Sequence, residues 1–182
     1  MQKNLKILLF SLVLTSSFLV SCNKTPPQYP TVYSNDGFLE YSKKFNKQLK
    51  DLEDKDIQIY IQKHSEDFLP TNAGFYMTRT EMADVRQVRD FDTIRFNYQI
   101  SNMQDSIIYS YDEIGNQLIV MGQTSMIPGI EYGLKRMSEG EYAKLLVPSS
   151  LAYGVDGDRK SIGTDEPLVI EINLEDIVNY EK

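Results

Sequence analysis

Reactive side chains are scarce in this chain. It has one cysteine, Cys22, and one histidine, His64. One cysteine cannot form a disulfide framework, and the two residues fall short of the ligands a zinc site needs. They would form the only Cys–His nucleophile pair, but Cys22 lies directly after an N-terminal apolar run and is committed there. His64 lies on an apolar stripe at helical spacing, with nothing nearby in sequence to complete a site, so it reads as a packed residue. A more suggestive residue is Tyr153, set between Ala152 and Gly154 in a turn-like stretch. A tyrosine there suits the edge of a cleft, with an apolar ring and a polar tip. Acidic residues outnumber basic ones 26 to 19, for a net charge of −7, which argues against a basic nucleic-acid-binding face. No phosphate-cradling glycine motif is present.

These residues sit in four successive stretches. Residues 1–21 begin with Lys3 and Lys6 and continue as an apolar run from Ile7 to Val20. That length fits a signal-peptide core better than a membrane span. The ending Leu19-Val20-Ser21-Cys22 resembles the lipobox of bacterial lipoproteins, in which the signal is cut before the cysteine and its sulfur is lipidated. The alternative is an uncleaved anchor helix. The lipobox resemblance implies three acyl chains and so stable attachment to the bilayer, since two or more chains suffice. Residues 22–35 hold Pro26, Pro27 and Pro30. They read as an extended tether reaching up to roughly 40 Å at about 3.1 Å per residue. Asn23, rather than Asp, follows the cysteine. By the sorting rule of enteric lipoproteins this implies an exported protein lipid-anchored at the outer membrane.

Residues 36–72 read as a helical arm. Asp36 is a candidate N-cap, with Glu40 in the first turn. Phe38, Tyr41, Phe45, Leu49 and Leu52 recur every three or four residues. A second stripe of Ile57, Tyr60, Ile61, His64 and Phe68 carries the helical reading to residue 68, with a break expected near Asp51–Asp56. Pro70 to Gly74 closes the arm. So regular a stripe must pack. It either docks on the protein's own domain or forms an interface for self-association or a partner.

From residue 73 to 182 the period falls to two. Ile94, Phe96, Tyr98 and Ile100 alternate with polar residues; Ala143, Leu145 and Val147 alternate with Tyr142, Lys144 and Leu146; Leu168, Ile170, Ile172 and Leu174 follow the same rule. Shorter strands are expected over 106–111 and 117–121, with a turn over 112–116. Such strands suit an antiparallel sheet with one buried face. Only Pro128–Met137 reads as a short helix, opened by a proline and closed near Gly140. The expected class is α+β: an antiparallel β-sheet curled over one short α-helix, preceded by the helical arm.

Met126 to Ile177 resembles the C-terminal half of an FKBP-type peptidyl-prolyl isomerase domain. Ile127 and Gly129 match the helix start, Met137 and Gly140 its exit. Pro148, Leu151, Ala152, Tyr153 and Gly154 match the P-x-x-L-A-Y-G turn, and Leu168 and Val169 open the final strand. Residues 74–122 match weakly except around Tyr98. Lipobox, arm and domain together resemble the FKBP-like lipoproteins associated with gliding motility, supported by Tyr109–Gly115 and Gly157–Gly163.

The resemblance implies a reaction in which no bond is made or broken. A peptide bond resists rotation by about 18–20 kcal/mol because planarity preserves amide resonance, and X-Pro bonds exchange over tens to hundreds of seconds. A catalyst need only favour the twisted amide, by stripping water from the carbonyl and holding a neighbouring one. That chemistry calls for no cofactor, no metal and no nucleophile. The resemblance assigns Tyr153 a hydroxyl bond to the substrate carbonyl, and Ile127 a backbone N–H with its side chain and Met126 as wall. It makes Ile130 the floor, Tyr98 and Tyr109 the aromatic rim, and Ile162 and Ile170 the far wall. For Ile130 and Ile170, packing alone is an equal alternative. The floor is usually Trp in the family and is Ile130 here; Ser110 stands where an Asp commonly follows the rim aromatic, with Asp112 a shifted substitute; and Ile170 replaces the usual Phe. A shallower, less aromatic cleft is expected, with reduced activity on short peptides. The implied partners are proline-containing segments of exported proteins, and the bilayer through Cys22. The rivals are a binding module for such segments without turnover, and an interaction subunit whose arm does the work.

Overall fold

In the computed structural model, residues 36–78 and 86–178 are described. The signal segment 1–21, the lipidation site Cys22 and the tether 22–35 lie outside them. By compactness the chain divides after Leu39. Of the first unit only the opening turn of a helix, residues 36–39, is described, with Phe38 and Leu39 exposed.

Helix α1 runs unbroken over Asp36–Lys63. The break expected at Asp51–Asp56 is absent. Aspartate, glutamate and lysine side chains are tolerated in a helix, and Lys50 pairs with Asp54 one turn on, at 2.5 Å. The arm is also shorter than the helical spacing suggested. His64 ends it, and Phe68–Pro70 forms strand β1. Phe68 therefore sits on a strand, paired with Thr78, with its ring edge-on to Tyr60 at 6.1 Å. Thr71–Gly74 is the turn of a hairpin to β2 (Tyr76–Thr78), not the end of the arm. Thr71 and Phe75 bond across it, and Gly74 takes φ +91°. The helix end is held from outside. The Tyr60 hydroxyl and Lys63 ammonium both donate to Asp105, at 2.9 and 3.1 Å, and His64 stacks on Tyr60.

The remaining elements are β3 (Thr93–Asn102), β4 (Ile107–Tyr109), α2 (Tyr111–Ile114), β5 (Gln117–Val120), α3 (Pro128–Leu134), β6 (Tyr142–Val147) and β7 (Leu168–Val178). Two 3-10 turns, Ser149–Leu151 and Gly154–Asp156, follow β6. Among the described residues the strands form one antiparallel sheet in the order β1-β2-β6-β7-β3-β4, with β5 paired to β3 as well. The turn expected over 112–116 contains a one-turn helix, because Ser110 caps it by accepting from the Glu113 N–H.

The alternation read from the sequence sorts the sheet's faces. Ile94, Phe96, Ile100, Ala143, Leu145, Val147, Leu168, Ile170, Ile172 and Leu174 are buried in one cluster with Ile130 and Leu134 of α3. The second face is not fully solvated as expected. Leu146 and Val169 lie on the opposite phase and are buried by Ile57 and Tyr60 of α1 with Phe68. The arm's stripe thus divides: its C-terminal part docks on the protein's own sheet, while Tyr41, Phe45 and Leu52 remain exposed. Helix α3 lies close to β6 because Gly129 has no side chain; a Cβ there would meet Val147 at 2.5 Å and the Leu151 carbonyl at 3.1 Å.

Candidate functional site

A cavity of about 500 Å³ opens between β3, β5, the start of α3 and the turn after β6. Each wall follows from local chemistry. Pro128 at the first helical position fixes the entry to α3, and Ile127 before it is extended (φ −65°, ψ 137°). Ile127 receives the helix's first backbone bonds on its carbonyl, and its own N–H donates to no backbone carbonyl among the described residues. One turn in, Ile130 is buried and lines the cavity floor. Met126 lines the wall. Tyr98 stands on β3 two residues after Phe96, so both rings face the same side, stacked 5.8 Å apart. Tyr153 and Ala152 arrive from the other side, at the join between the two 3-10 turns.

Tyr153 is half-buried, and its hydroxyl makes no hydrogen bond to the described part of the protein. Burial pushes its pKa above the ordinary tyrosine value, reinforced by Tyr98, Asp158 and Tyr109. Burial alone does the same to Tyr98. Both therefore carry their protons at neutral pH and can donate.

The rim is organised by Asp158. The Tyr109 hydroxyl donates to one of its carboxylate oxygens. The other accepts the backbone N–H groups of Lys160, Ser161 and Ile162 at 2.8, 3.0 and 2.9 Å. This carboxylate folds the loop that carries Ile162. Desolvation pushes Asp158 upward, but the Tyr109 bond and the three amides outweigh it and hold the group at about 2. The bond to Asp158 in turn raises Tyr109. The carboxylate beside Tyr109 thus comes from a loop far along the chain, though neither Asp158 nor Asp112, which is exposed on α2, lines the cavity.

Of the residues singled out by sequence, Tyr98, Met126, Ile127, Ile130 and Tyr153 converge on the cavity. Tyr109 and Ile162 join the same apolar cluster beside it, linked through Asp158, but are not among the cavity's lining. Ile170 has no exposed surface, lies between Ile100 and Leu145 in the sheet, and packs in the core rather than forming a wall. Sequence reasoning missed Phe96, Gln117, Ile119, Thr124, Ser125, Pro128 and Ala152 as lining residues. Phe96 was within reach, since it shares a face with Tyr98. Gln117 and Ile119 arrive through the pairing of β5 with β3, which local spacing does not encode.

The family profile for FKBP-type peptidyl-prolyl cis-trans isomerase matches residues 85–175. The chain belongs to this family. It is 33% identical over 84 residues to peptidyl-prolyl cis-trans isomerase FKBP11 of Bos taurus, covering 46% of this chain and 41% of that one. It is 32% identical over 96 residues to FKBP10 of the same species, covering 52% and 16%. The chain thus spans less than half the length of these relatives. Among solved structures, FkpA from Escherichia coli superposes with a TM-score of 0.58 at 25% identity, over 75% of this chain and 63% of that one. AtFKBP13 shares the fold at a TM-score of 0.54 and 18% identity, over 62% and 99%.

The titrations around the cavity bear on any activity there. Tyr98, Tyr109 and Tyr153 lie above their usual value near 10, and Asp158 lies near 2. Because its folded value is depressed, Asp158's contribution to the loop is full above about pH 3.9 and disappears as pH falls through about 2. Any activity of the cavity is therefore expected to stay flat from about pH 5 to about pH 9. A pH–rate profile with a limb between 6 and 8 would contradict this set of groups.

Proposed function

We propose that this protein is a peptidyl-prolyl cis-trans isomerase, tethered to a bacterial membrane through an acylated Cys22, that assists folding of exported proteins, gliding-machinery components among them. The observation that carries the reading is the half-buried Tyr153 hydroxyl, without a hydrogen-bond partner among the described residues, in a cavity walled by Ile127, Ile130 and Tyr98. An X-Pro segment enters with its proline ring over Ile130. Apolar walls remove water from the amide carbonyl, whose charge separation is greatest when planar, so the twisted form loses less on entering. The Tyr153 hydroxyl and the Ile127 N–H hold carbonyls on either side of the rotating bond. Tyr98 and Tyr109 close the rim, with Ile162 beside them. Outer-membrane location is supported by the lipobox-like ending and Asn23. Self-association is supported by the bare stripe Tyr41, Phe45 and Leu52, and sedimentation of the chain tests it.

The test is a protease-coupled isomerisation assay on X-Pro tetrapeptides. Tyr153→Phe keeps the ring and removes one hydrogen bond worth about 0.5–1.5 kcal/mol, so kcat/KM should fall roughly two- to twelvefold with little change in stability. An unchanged kcat/KM would remove Tyr153 from the mechanism.

A binding module without turnover is the second reading, favoured by the small floor at Ile130. Ile130→Trp should deepen the apolar floor and raise activity, provided the site accepts the volume. If the wild-type protein binds proline peptides but neither form isomerises them, the binding reading replaces the enzyme.

A further inference from the structure

Glu53 is the one acidic residue of α1 that is buried among the described residues, with 6% of its surface exposed. A buried carboxylate is costly unless its oxygens are hydrogen-bonded. Glu53 makes no ion pair among the described residues. Its partners both belong to Ser149, itself buried and 96 residues away. The Ser149 N–H donates to one oxygen at 3.0 Å and the Ser149 hydroxyl to the other at 2.5 Å.

Ser149 opens the 3-10 turn that leads into Tyr153. The first N–H groups of any such turn have no partner within it. The preceding residue, Pro148, has no polar side chain and makes no capping bond. The carboxylate that caps the turn therefore comes from another element. Within the turn, the Leu151 N–H bonds to the Pro148 carbonyl and the Ala152 N–H to the Ser149 carbonyl, both at 2.9 Å. Ala152 and Tyr153 then line the cavity. The chain of fixed groups runs from Glu53 through Ser149 and the turn to the Tyr153 ring.

We propose that Glu53 is a positioning residue: from the helical arm it caps the Ser149–Leu151 turn and thereby sets where Tyr153 presents its hydroxyl. This rests on the isomerase reading above, and it makes the arm part of the site rather than a spacer. A hydrogen bond to a carboxylate is stronger than a neutral one, so losing two of them should loosen the turn measurably. The arm's remaining anchors, Ile57 and Tyr60, lie one and two turns further along and pack in a cluster that does not include Ser149.

The experiment uses the full chain at a temperature well below unfolding, with Glu53→Ala, Glu53→Gln and Ser149→Ala. Amide exchange at Leu151 and Ala152 reads the turn directly. Glu53→Ala should speed it roughly three- to tenfold, and Glu53→Gln, whose amide oxygen still accepts from the Ser149 N–H, should restore much of the protection. Ser149→Ala should fall between them. In the isomerisation assay Glu53→Ala should lower kcat/KM by roughly three- to tenfold in the wild-type background, but by less than about twofold when Tyr153 is already Phe, because both changes remove the same contact. Unchanged exchange at Leu151 and Ala152 overturns the capping role, whatever the activity. Increased exchange with multiplicative rate effects overturns the link to Tyr153. A wild-type protein without isomerase activity overturns the isomerase reading instead; the cycle is then read in the Kd of an Ala-Pro peptide. If that peptide does not bind either, the link to Tyr153 falls and exchange still decides the cap.

Discussion

Ile57→Ala is expected to destabilise the domain by about 2–5 kcal/mol, the usual range for emptying a buried isoleucine site. Ile57 is 1% exposed and packs with Tyr60, Phe68, Leu146 and Val169 on the second face of the sheet. At roughly 3 °C per kcal/mol for a domain of this size, the melting temperature should fall by about 6–15 °C. Phe45→Ala, on the same helix but 49% exposed, should change stability by less than about 0.5 kcal/mol. Thermal unfolding of the two variants therefore separates the docked part of the arm from the bare part. Equal melting temperatures for wild type and Ile57→Ala would mean that α1 is not seated on β6 and β7 in solution. A large loss in Phe45→Ala, dependent on protein concentration, would instead identify the bare stripe as a self-association surface, because an interface between copies shifts apparent stability by mass action.

The second large effect concerns Cys22→Ser. If the sulfur of Cys22 receives the lipid, the hydroxyl of serine cannot replace it. The variant should then accumulate as unprocessed precursor, with no incorporation of labelled fatty acid. Acylation contributes about 0.8 kcal/mol per buried methylene, and two or more chains hold a protein stably on a bilayer. Loss of all of them leaves the uncut apolar run Ile7–Val20 as the remaining attachment, so cleavage and acylation should disappear together. Mass spectrometry of the membrane fraction checks both. A normally cut and acylated product from the Cys22→Ser variant would eliminate the lipobox reading.

The contact between the arm and the turn before Tyr153 carries no local signature in the sequence. A signature such as Leu151-Ala152-Tyr153-Gly154 names the turn, but Glu53 looks like any other acid in the run from Asp51 to Asp56. Its burial is visible only once α1 lies against Ser149. Asp158 is a parallel case. In sequence it is one more charge in a loop, while in space it joins Tyr109 to the backbone of Ile162.

Period and punctuation alone were enough to place β3, β6, β7 and α3, because each has an apolar phase set by a local repeat, and a proline marks one end of β6, β7 and α3. The family resemblance, not the period, brought Tyr98, Ile127, Ile130 and Tyr153 forward; for Ile127, Ile130 and Tyr153 the matching motif is contiguous around the α3 start and the turn after β6. Three things needed the folded chain. The length of α1 depended on where Phe68 found a strand partner in Thr78, and helical spacing continued past that point without stopping. The role of Ile170 depended on its neighbours across the sheet, Ile100 and Leu145, which seal it away from the cavity. The second buried face depended on which residues α1 covered, and Leu146 and Val169 carried only a weak sign of it, being apolar on a phase otherwise polar. Local sequence sets the period of an element and so which residues share a face. Which face is covered, and by what, is decided by contacts between residues tens of positions apart, and those are a property of the packed chain.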